Sequence, residues 1–510
     1  MQFYKEHYDV IVIGGGLAGL TSALVLREQG KDVLVLERHN LPGGPATSFV
    51  RGGIELEAAL HEMMGIGPKE HRLTIGKFLE EHGVCVDWLR LPEAYHASLP
   101  GIERTLHPGF ETFAHEIDSE APGTYETVLR VLNLCRAVFD SINALSDGPE
   151  SIPKMLREHE ALVKTVGYST EEVLATFNLP QKALDLLAPY WMYVGMPLSE
   201  LPFTVYSLVM ADYIGYGAYI PRRFSYEISV KLAERVESLG VQIEYRQHVE
   251  KILVRNRHVY GVRTARGDEI HSDFVISAPY PNKVYTSMIE PLSAVPHRAI
   301  RSVNGKRLSL SAFSVILVLD QSADALNIRD YNNFHGDTMD TDALYENLAG
   351  LGPYRYLTSI CLNRGNPGAT PPGTCVLSIT TLPRIEAWRT VTADDYDRVK
   401  HAIARQMIDE MSRYYGVNLL DHVLELVIET PMTVAHYTGM WNGCIYGYSH
   451  TMEDHIVARL LTADEEKFFE GLVFAGAHQL AGDGMGPAIT NGRRAAQEVL
   501  DDCKRKEAAK

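Results

Sequence analysis

The stretch YDVIVIGGGLAGLTSALVLREQGKDVLVLE, residues 8–37, decides the fold. Residues 8–13 form a short apolar run that ends at glycines, and residues 32–37 form a second one, so both are predicted as buried strands. Between them, residues 17–29 place leucines and alanines mostly on one helical face, and Gly30 ends the helix. A strand, a helix and a strand in this order predict a βαβ unit, which implies a parallel sheet.

The turn between the first strand and the helix has glycines at positions 14, 16 and 19, in the spacing G-x-G-x-x-G. The first glycine allows a tight turn, the second lets the backbone approach a pyrophosphate, and the third lets helix and strand pack closely. The helix start faces the phosphates with its partial positive charge, and an acidic residue ending the second strand can bind a ribose. The residues assigned to this dinucleotide site are Gly14, Gly16, Leu17, Ala18, Gly19, Glu37 and Arg38.

Two further glycine-rich loops lie far apart in the chain. LPGGPATSF, residues 41–49, allows close backbone approach to a ligand, with an ordinary surface turn as the alternative. GLVFAGAHQLAGDGMGPAITNGRRAA, residues 471–496, runs from a strand through a loop into a helix that begins near Pro487. Backbone amides at that helix start would stabilise the negative charge that an isoalloxazine ring gains on reduction. These loops add Gly44, Pro45, Ala46, Gly476, Asp483, Gly484 and Met485 to the predicted cofactor site.

A series of short strands is predicted in the middle of the chain, near residues 249–254, 258–264 and 270–277. Strands of this kind commonly complete a dinucleotide domain, and the backbone of Val249 would then meet the adenine. Scaffolding strands without a ligand contact remain an alternative.

The composition excludes several classes of protein. The chain of 510 residues has a formal net charge of −17, which disfavours nucleic-acid binding. It contains no apolar stretch of about 18 residues that would span a membrane, and the start MQFYKEHYDV is not expected to be a signal peptide. The six cysteines are scattered without a CxxC pair, so we expect reduced thiols in the cytoplasm and no metal site.

In this order, the four motif regions resemble the phytoene desaturase, carotenoid isomerase and retinol saturase family of flavoproteins. Other segments that resemble the family are residues 54–63, 187–203, 217–232 and 429–448. Pro45 departs from the family pattern, which often has an arginine or another polar residue after the glycine pair. The resemblance implies FAD as the cofactor. It also implies desaturation, saturation or cis/trans isomerisation at a carbon–carbon double bond of an apolar polyene, isoprenoid or lipid-like substrate.

The expected fold is α/β, with a Rossmann-like FAD-binding domain around a parallel sheet and an interleaved α+β substrate domain. The FAD-binding domain is expected to be discontinuous and to comprise residues 1–70, 222–290 and 465–505. The substrate domain is expected from residues 71–221 and 291–464, with a helical insertion at about 124–215.

Four side chains are candidates for the chemistry on the substrate. His61 can carry the proton that accompanies hydride transfer, or it can be a hydrogen-bonded structural histidine. Tyr446 is a candidate acid or a wall of the substrate cavity. Arg222 and Arg223 can bind a substrate carboxylate, although solvated surface charge is the alternative. His478, in the last glycine-rich loop, can bind the cofactor or only the loop carbonyls.

Other functions remain open at this point. Because only one G-x-G-x-x-G unit is present, the electron partner is oxygen, a quinone or a transiently bound NAD(P)H. A flavin amine oxidase and a non-catalytic, FAD-stabilised carrier of prenyl or lipid groups are rival functions. The Tyr-, Met- and Leu-rich stretch 187–219 fits a lipid tunnel, a peripheral membrane contact or an ordinary helical core.

Overall fold

The computed structural model of the protein describes residues 4–146, 157–462, 467–482 and 484–508. Its strands are β1 His7–Ile13, β2 Val33–Leu36, β3 Ser48–Arg51, β4 Ile54–Glu57, β5 Trp88–Arg90, β6 Tyr95–Leu99, β7 Ile102–Leu106, β8 Tyr219–Pro221, β9 Gln242–Glu244, β10 Val249–Arg255, β11 His258–Thr264, β12 Glu269–Ser277, β13 Ile289–Glu290, β14 Phe313–Leu319, β15 Asn332–Gly336, β16 Tyr356–Cys361, β17 Cys375–Thr381, β18 Val423–Glu429 and β19 Leu472–Phe474.

The helices in the same ranges are α1 Leu17–Glu28, α2 Thr74–Glu81, α3 Phe110–Glu120, α4 Tyr125–Ser146, α5 Glu160–Thr165, α6 Thr170–Ala175, α7 Gln181–Leu187, α8 Trp191–Val194, α9 Phe203–Val209, α10 Tyr226–Ser238, α11 Pro281–Lys283, α12 His297–Gly305, α13 Thr341–Asn347, α14 Leu362–Gly365, α15 Ile385–Trp388, α16 Tyr396–Tyr415, α17 Pro431–Thr438, α18 Ile456–Thr462 and α19 Met485–Ala508. None of these described helices is both long and apolar enough to cross a lipid bilayer.

The first sheet joins strands from three distant parts of the chain. Its order is β13–β10–β11–β12–β1–β2–β9, and β19 pairs with β12. The strands β12, β1, β2 and β9 run parallel, as predicted from the βαβ unit, and β19 is parallel to β12. The strands β10 and β11 are antiparallel, because they form a hairpin that turns at Asn256 and Arg257. The α/β fold is therefore confirmed, with a mixed rather than a wholly parallel sheet.

Alternate residues of β1 enter two different cores. Val10 and Val12 pack into the larger hydrophobic core with α1, whereas Ile11 and Ile13 pack into a smaller core on the other face of the sheet. This division follows from the two-residue period of a strand. The continuous apolar run in the sequence is thus explained by burial on both faces.

Helices α1 and α19 cover the same face of this sheet and touch each other. A Cβ atom at Gly492 would lie 2.3 Å from the carbonyl oxygen of Ala18, so only glycine permits this approach. The Ser22 hydroxyl donates a hydrogen bond of 2.9 Å to the Gly492 carbonyl across the contact. The two ends of the chain therefore meet beside the loop that carries the G-x-G-x-x-G glycines.

The second sheet has the order β18–β14–β17–β16–β15–β6–β7. Its neighbours are antiparallel except for the parallel pair β15 and β6. The strands β14 and β17, which are separated by more than fifty residues, pair directly along their whole length. Helices between residues 125 and 214 pack beside this sheet, in the region predicted as a helical insertion.

Candidate functional site

The two N-terminal glycine-rich loops lie against each other. The amide of Gly43 donates a hydrogen bond of 2.8 Å to the carbonyl of Gly15, and Gly16 and Gly43 form an isolated parallel bridge. A Cβ at Gly44 would lie 3.6 Å from the Cα of Gly16. The structure thus brings together two motifs that the sequence separates by a helix and a strand.

Gly19 allows α1 to pack directly on the loop before it. A Cβ at this position would lie 2.0 Å from the carbonyl oxygen of Gly14 and 3.2 Å from a methyl group of Val12. No side chain can be accommodated there without moving the backbone. The close helix–strand contact assigned to the third glycine of the motif is present in the structure.

The N-terminus of α1 is open to an anion. Its N-cap residue is Gly16, and no side chain caps the helix. Leu17 and Ala18 bury their side chains in the core, so that at this end the helix offers its backbone amides. Uncapped amides together with the helix dipole form a ready anion site.

Glu37 is a buried carboxylate that organises the adjoining loops. Its two oxygens accept hydrogen bonds from the amides of Gly15, at 2.6 Å, and His39, at 2.7 Å. The amide of Gln247 donates to the Glu37 carbonyl at 2.8 Å, and this contact places the start of β10, with the buried Val249, near the end of β2. The predicted ribose and adenine residues therefore share one edge of the first sheet.

Arg38 points away from the glycine loops. Its guanidinium donates hydrogen bonds to the carbonyls of His436, at 3.2 Å, and Tyr437, at 3.1 Å, in the last turn of α17. A cation at a helix C-terminus is stabilised by the helix dipole. The assignment of Arg38 to the cofactor site remains a prediction.

The Pro45–Ala46 turn is held by a helix that the motif analysis did not connect with it. Ser229 on α10 donates a hydrogen bond of 2.6 Å to the carbonyl of Ala46, and the Ala46 amide donates to Gly43 at 3.1 Å. Pro45 is half-buried and Ala46 is buried. Ser229 is a buried polar residue within an otherwise amphipathic helix, which is the sequence signal that was missed.

The last glycine-rich loop folds around the side chain of Asn491 on α19. Its amide nitrogen donates to the Gly476 carbonyl at 2.8 Å, and its oxygen accepts from the Ala481 amide at 3.0 Å. Gly484 has a positive φ of 98° immediately before α19 begins at Met485. Asp483 lies outside the described residues. A buried asparagine after a glycine-dense loop was the available signal for this anchor.

His478 in the same loop is buried without a hydrogen-bond partner on either ring nitrogen among the described residues. Its ring lies 5.0 Å from that of Tyr280 and 5.9 Å from that of Phe474. Burial, with Arg459 and Lys306 nearby, lowers its pKa to about 3. The imidazole is therefore neutral at pH 7 and binds none of the loop carbonyls proposed as its alternative partners.

His61 lies beside a group of buried tyrosines. We call Tyr190, Tyr193, Tyr213 and Tyr331 the tyrosine cluster. The His61 ring is 6.2 Å from that of Tyr193, and the Tyr331 hydroxyl donates a hydrogen bond to the His61 carbonyl. Burial lowers the pKa of His61 to about 4, which leaves a neutral imidazole at pH 7.

Tyr446 is separated from the tyrosine cluster by one glycine. A Cβ at Gly195 would lie 3.1 Å from the Tyr446 ring, and Gly195 ends the short helix α8 that carries Tyr193. Cys444 is buried, and its thiol donates to the Ser309 carbonyl at 3.0 Å. The structure brings Tyr446 into the same region as His61, and the catalytic roles of both residues stay predictions.

Arg222 and Arg223 lie at the surface. The Arg222 guanidinium forms an ion pair of 2.6 Å with Asp87, and about half of its side chain is exposed. Arg223 is exposed, and its amide donates to Glu227 at 3.2 Å. Within the described ranges, no hydrogen bond or ion pair joins either arginine to His61 or Tyr446. Substrate binding by these arginines stays a prediction.

The fold and this site define a flavin-dependent oxidoreductase, in which glycine loops and an open helix start lie at the edge of a mixed sheet. The chain belongs to the family of flavin containing amine oxidoreductases, whose model matches residues 17–500. The uncapped start of α1 and the buried Glu37 carboxylate fit the phosphate and ribose parts of a flavin nucleotide. When bound, the flavin supplies the hydride chemistry.

Named relatives cover most of the chain at low identity. A chloroplastic prolycopene isomerase of Daucus carota is 25% identical over 86% of this chain and 72% of its own. An all-trans-retinol 13,14-reductase of Danio rerio is 23% identical over 87% of this chain and 78% of its own. A 4,4'-diapolycopene oxygenase of Methylomonas is 22% identical over 98% of this chain and 99% of its own.

Solved structures agree in fold. Putrescine oxidase bound to putrescine matches 97% of this chain and 99% of its own, with a TM-score of 0.65 and 15% identity. Cyclohexylamine oxidase from Brevibacterium oxydans matches 98% of this chain and 99% of its own, with a TM-score of 0.60 and 13% identity. At these identities the similarity establishes the architecture and leaves the substrate to other arguments.

Proposed function

We propose that this protein is an FAD-dependent oxidoreductase that desaturates, saturates or isomerises a carbon–carbon double bond of an apolar polyene, isoprenoid or lipid-like substrate. The observation that carries the proposal is the similarity, over most of the chain, to relatives named for prolycopene, retinol and diapolycopene. The buried aromatic side chains around Tyr193 supply an apolar setting suited to such a compound. An apolar chain gains about 0.8 kcal/mol for each methylene removed from water.

The proposal of FAD rather than FMN is supported by the sheet edge beyond the glycine loops. Glu37 and the start of β10 are where the ribose and adenine of the second nucleotide would lie. Acid precipitation of the purified protein should release FAD into the supernatant. Release of FMN would contradict the assignments of Glu37 and Val249 together.

The function is tested with the flavin-loaded protein under anaerobic conditions. All-trans-retinol and a mixture of lycopene isomers in detergent should either change the flavin spectrum or be converted to new isomers, whereas putrescine and amino acids should do neither. Rapid bleaching by putrescine without any effect of a polyene would favour an amine oxidase. A flavin that no compound reduces or reoxidises, with no isomer formed, would favour a carrier.

The electron partner of the flavin can be identified with the same flavin-loaded protein. The chain has a single G-x-G-x-x-G unit, so a partner must enter the flavin site itself. Stopped-flow mixing of the reduced protein with oxygen or a soluble quinone, and of the oxidised protein with NADPH, compares the three options directly. The partner with the fastest flavin response is the one we assign.

A membrane contact is also proposed, but at a different place from the stretch 187–219, which is largely buried. Six exposed apolar side chains, which we call the apolar face, lie on the loop after β2, on β3, on the edge strand β18 and on α17. They are Leu41, Val50, Leu424, Leu426, Met432 and Tyr437.

Contacts join some of the elements that carry the apolar face. Arg38 binds the last turn of α17, and a Cβ at Gly52 would lie 2.6 Å from the Glu425 carboxylate on β18. Arg38 and Arg51 are exposed here, and neither forms an ion pair with another described residue. Cationic groups beside exposed apolar side chains fit an anionic lipid surface, from which an apolar substrate would be taken.

A further inference from the structure

Glu62 is a buried carboxyl group at the centre of the tyrosine cluster. The residue is 6% exposed, and neither buried carboxyl oxygen makes a hydrogen bond of normal geometry with a described residue, although the nearby hydroxyls of Tyr190 and Tyr193 favour its charged form. A buried carboxylate left without donors is costly, so such a group is held as the neutral acid or kept for a ligand.

Three of the four tyrosine hydroxyls donate their protons to backbone carbonyls. Tyr190 donates to the Ala94 carbonyl at 3.1 Å, Tyr331 donates to the His61 carbonyl, and Tyr213 donates to the backbone carbonyl of Glu62 at 3.4 Å. The Tyr193 oxygen accepts a hydrogen bond of 2.9 Å from Asn332. The cluster therefore encloses the carboxyl group with few donors for a negative charge, chiefly the hydroxyls of Tyr190 and Tyr193.

No cation compensates Glu62 in the described part of the chain. The titratable groups that influence it are Tyr190 and Tyr193, which favour the charged form, and Glu93, whose charge disfavours it. The neighbouring His61 is neutral at pH 7. Burial outweighs the two tyrosines and raises the pKa of Glu62 to about 8.

The position of Glu62 links the cofactor side of the molecule with the second sheet. Two residues further on, the Met64 carbonyl would be 3.7 Å from a Cβ at Gly486, in the first turn of α19. On the opposite side, Phe334 of β15 packs against Tyr190, at 5.8 Å between ring centroids, and against Tyr193, at 5.6 Å. Glu62 thus lies between the helix start assigned to the flavin and the sheet assigned to the substrate.

We infer that the Glu62 carboxyl group holds the proton that is exchanged with a substrate carbon. This inference rests on the proposed function. In the saturating direction, a flavin bound at this site would supply a hydride to one carbon of a double bond and would be oxidised. Glu62 gives its proton to the other carbon, where the π electron pair forms the new C–H bond, and the carboxylate regains a proton from water. Desaturation runs the same transfers in reverse.

Glu62 suits this role better than His61, for which proton transfer was predicted from the sequence. Near pH 7 a neutral imidazole can only accept a proton, whereas a protonated carboxyl group can donate one and take it back. His61 contributes its backbone carbonyl to the cluster, where it accepts the hydrogen bond from Tyr331.

The first test detects the proton without any substrate. Infrared difference spectra of the flavin-loaded protein, recorded between pH about 6 and 9, should show the C=O band of a protonated carboxylic acid that is lost at the alkaline end. Glu62→Gln should remove the part of this band that is lost around pH 8, while the buried Glu429, whose pKa is raised to about 7, contributes a part lost at lower pH. The matched control is Asp212→Asn, which alters another buried carboxyl group that accepts the Gly65 amide at 3.1 Å, and it should keep the band. A wild-type spectrum without the band overturns the inference.

The second test measures the proton transfer itself. Photoreduced, flavin-loaded protein is mixed anaerobically with all-trans-retinol or lycopene isomers, and flavin reoxidation is followed. The wild-type rate should fall above pH about 8, and Glu62→Gln should be slower by about 10²–10⁴-fold with no pH dependence in this range. Glu62→Asp should recover part of the rate.

The outcomes separate the two proposals. Equal rates and equal pH profiles for wild type and Glu62→Gln overturn the role of Glu62 and leave the proposed function intact. A wild-type protein that responds to neither polyene overturns the function and the proton transfer together. If Glu62→Gln does not fold, the wild-type pH profile decides, and a rate independent of pH overturns the inference.

Discussion

The glycine loops, residues 14–19 and 43–46, and the tyrosine cluster around Glu62 treat buried charge in opposite ways. In the glycine loops the buried carboxylate of Glu37 accepts two backbone hydrogen bonds, from Gly15 and His39. In the tyrosine cluster the carboxyl group of Glu62 accepts no hydrogen bond of normal geometry from a described residue. The region around Glu37 supplies donors for a carboxylate, whereas the region around Glu62 disfavours the charged form of its carboxyl group.

This difference separates a binding region from a reactive one. A cofactor that stays bound needs donors and acceptors that are satisfied and rigid, which backbone amides provide at low entropic cost. A group that exchanges protons needs both of its protonation states to be reachable near the working pH. Buried charges with full partners are fixed in one state, so the unsatisfied Glu62 is where chemistry is expected.

The largest effect is expected from Gly19→Ala, which tests the rigid region. The new Cβ would lie 2.0 Å from the Gly14 carbonyl, so α1 must move away from β1. We expect a cost of about 4–5 kcal/mol or more and a protein without bound flavin. The ratio of flavin absorbance to protein absorbance in the purified variant measures the bound flavin.

The control for Gly19→Ala is Gly167→Ala, where the added Cβ would meet nothing within 4 Å. This variant should keep its flavin. If Gly19→Ala retains as much flavin as the control, the backbone of the glycine loops can move to accept a side chain, and this region is not rigid.

Glu62 should make the folded protein less stable as the pH rises. Its pKa in the folded protein, about 8, is above the ordinary carboxyl value. Between those two values the folded state binds a proton that the unfolded state has lost, so the free energy of unfolding falls by about 1.4 kcal/mol per pH unit. Urea unfolding of wild type and Glu62→Gln measures the difference, and parallel pH profiles would contradict it.

His478 is the exception that tests the comparison, because it is an unsatisfied polar group within the cofactor region. Its folded-state pKa of about 3 is below the ordinary histidine value, so the unfolded state takes up a proton first as the pH falls. Stability should therefore decrease below pH about 6.5, by up to about 1.4 kcal/mol per unit.

His478→Phe keeps a ring beside Tyr280 and removes the titration, so its acid sensitivity should be smaller than that of wild type. Unfolding in urea between pH about 4 and 7 measures this. Unchanged acid sensitivity would mean that His478 has a partner when the flavin is bound.

Glu37→Ala should weaken flavin binding by about 10–100-fold, because a hydrogen bond to a charged group contributes about 1.5–3 kcal/mol. The variant also leaves the amides of Gly15 and His39 without their acceptor, so the melting temperature should fall. Glu37→Gln keeps one acceptor oxygen, so its flavin affinity and its melting temperature should lie between those of the wild type and Glu37→Ala. Flavin content that survives dialysis unchanged in Glu37→Ala would remove this residue from the site.

The smallest effect concerns the apolar face. Leu424→Ser and Tyr437→Ser should each lower co-sedimentation with vesicles that contain phosphatidylserine, without changing the flavin spectrum. Leu292→Ser and Tyr168→Ser are matched controls, because these side chains are similarly exposed outside the face. Equal loss in all four variants would argue against a specific membrane contact. If only Leu424→Ser and Tyr437→Ser change the oligomeric state, the apolar face binds a second copy of the chain and not a membrane.

The sequence predicted those parts of the fold and site that depend on local spacing. The βαβ unit, the contact at Gly19 and the final strand and helix followed from apolar periodicity and glycine positions. The pairing of β6 with β15 could not be predicted, because it joins segments more than 200 residues apart through hydrogen bonds that carry no side-chain pattern.

The missed residues have a common cause. Asn491, Ser229 and Glu62 each owe their significance to a partner, or to a missing partner, that is distant in the sequence. Glu62 stands directly after the histidine that was chosen as the proton carrier, and nothing in the letters His-Glu shows which side chain is enclosed by tyrosines. Solvation is a property of the packed structure, so it could not be inferred from the sequence pattern.

The contact between α1 and α19 has a consequence for how the protein is made. A ribosome delivers Ala18 almost five hundred residues before Gly492, and β12 ends at Ser277, almost two hundred residues before its neighbour β19 begins at Leu472. Until then the face of α1 that Gly492 covers is exposed. A nascent chain therefore cannot complete its cofactor site during most of translation, and capture of the flavin becomes one of the last events of its biosynthesis.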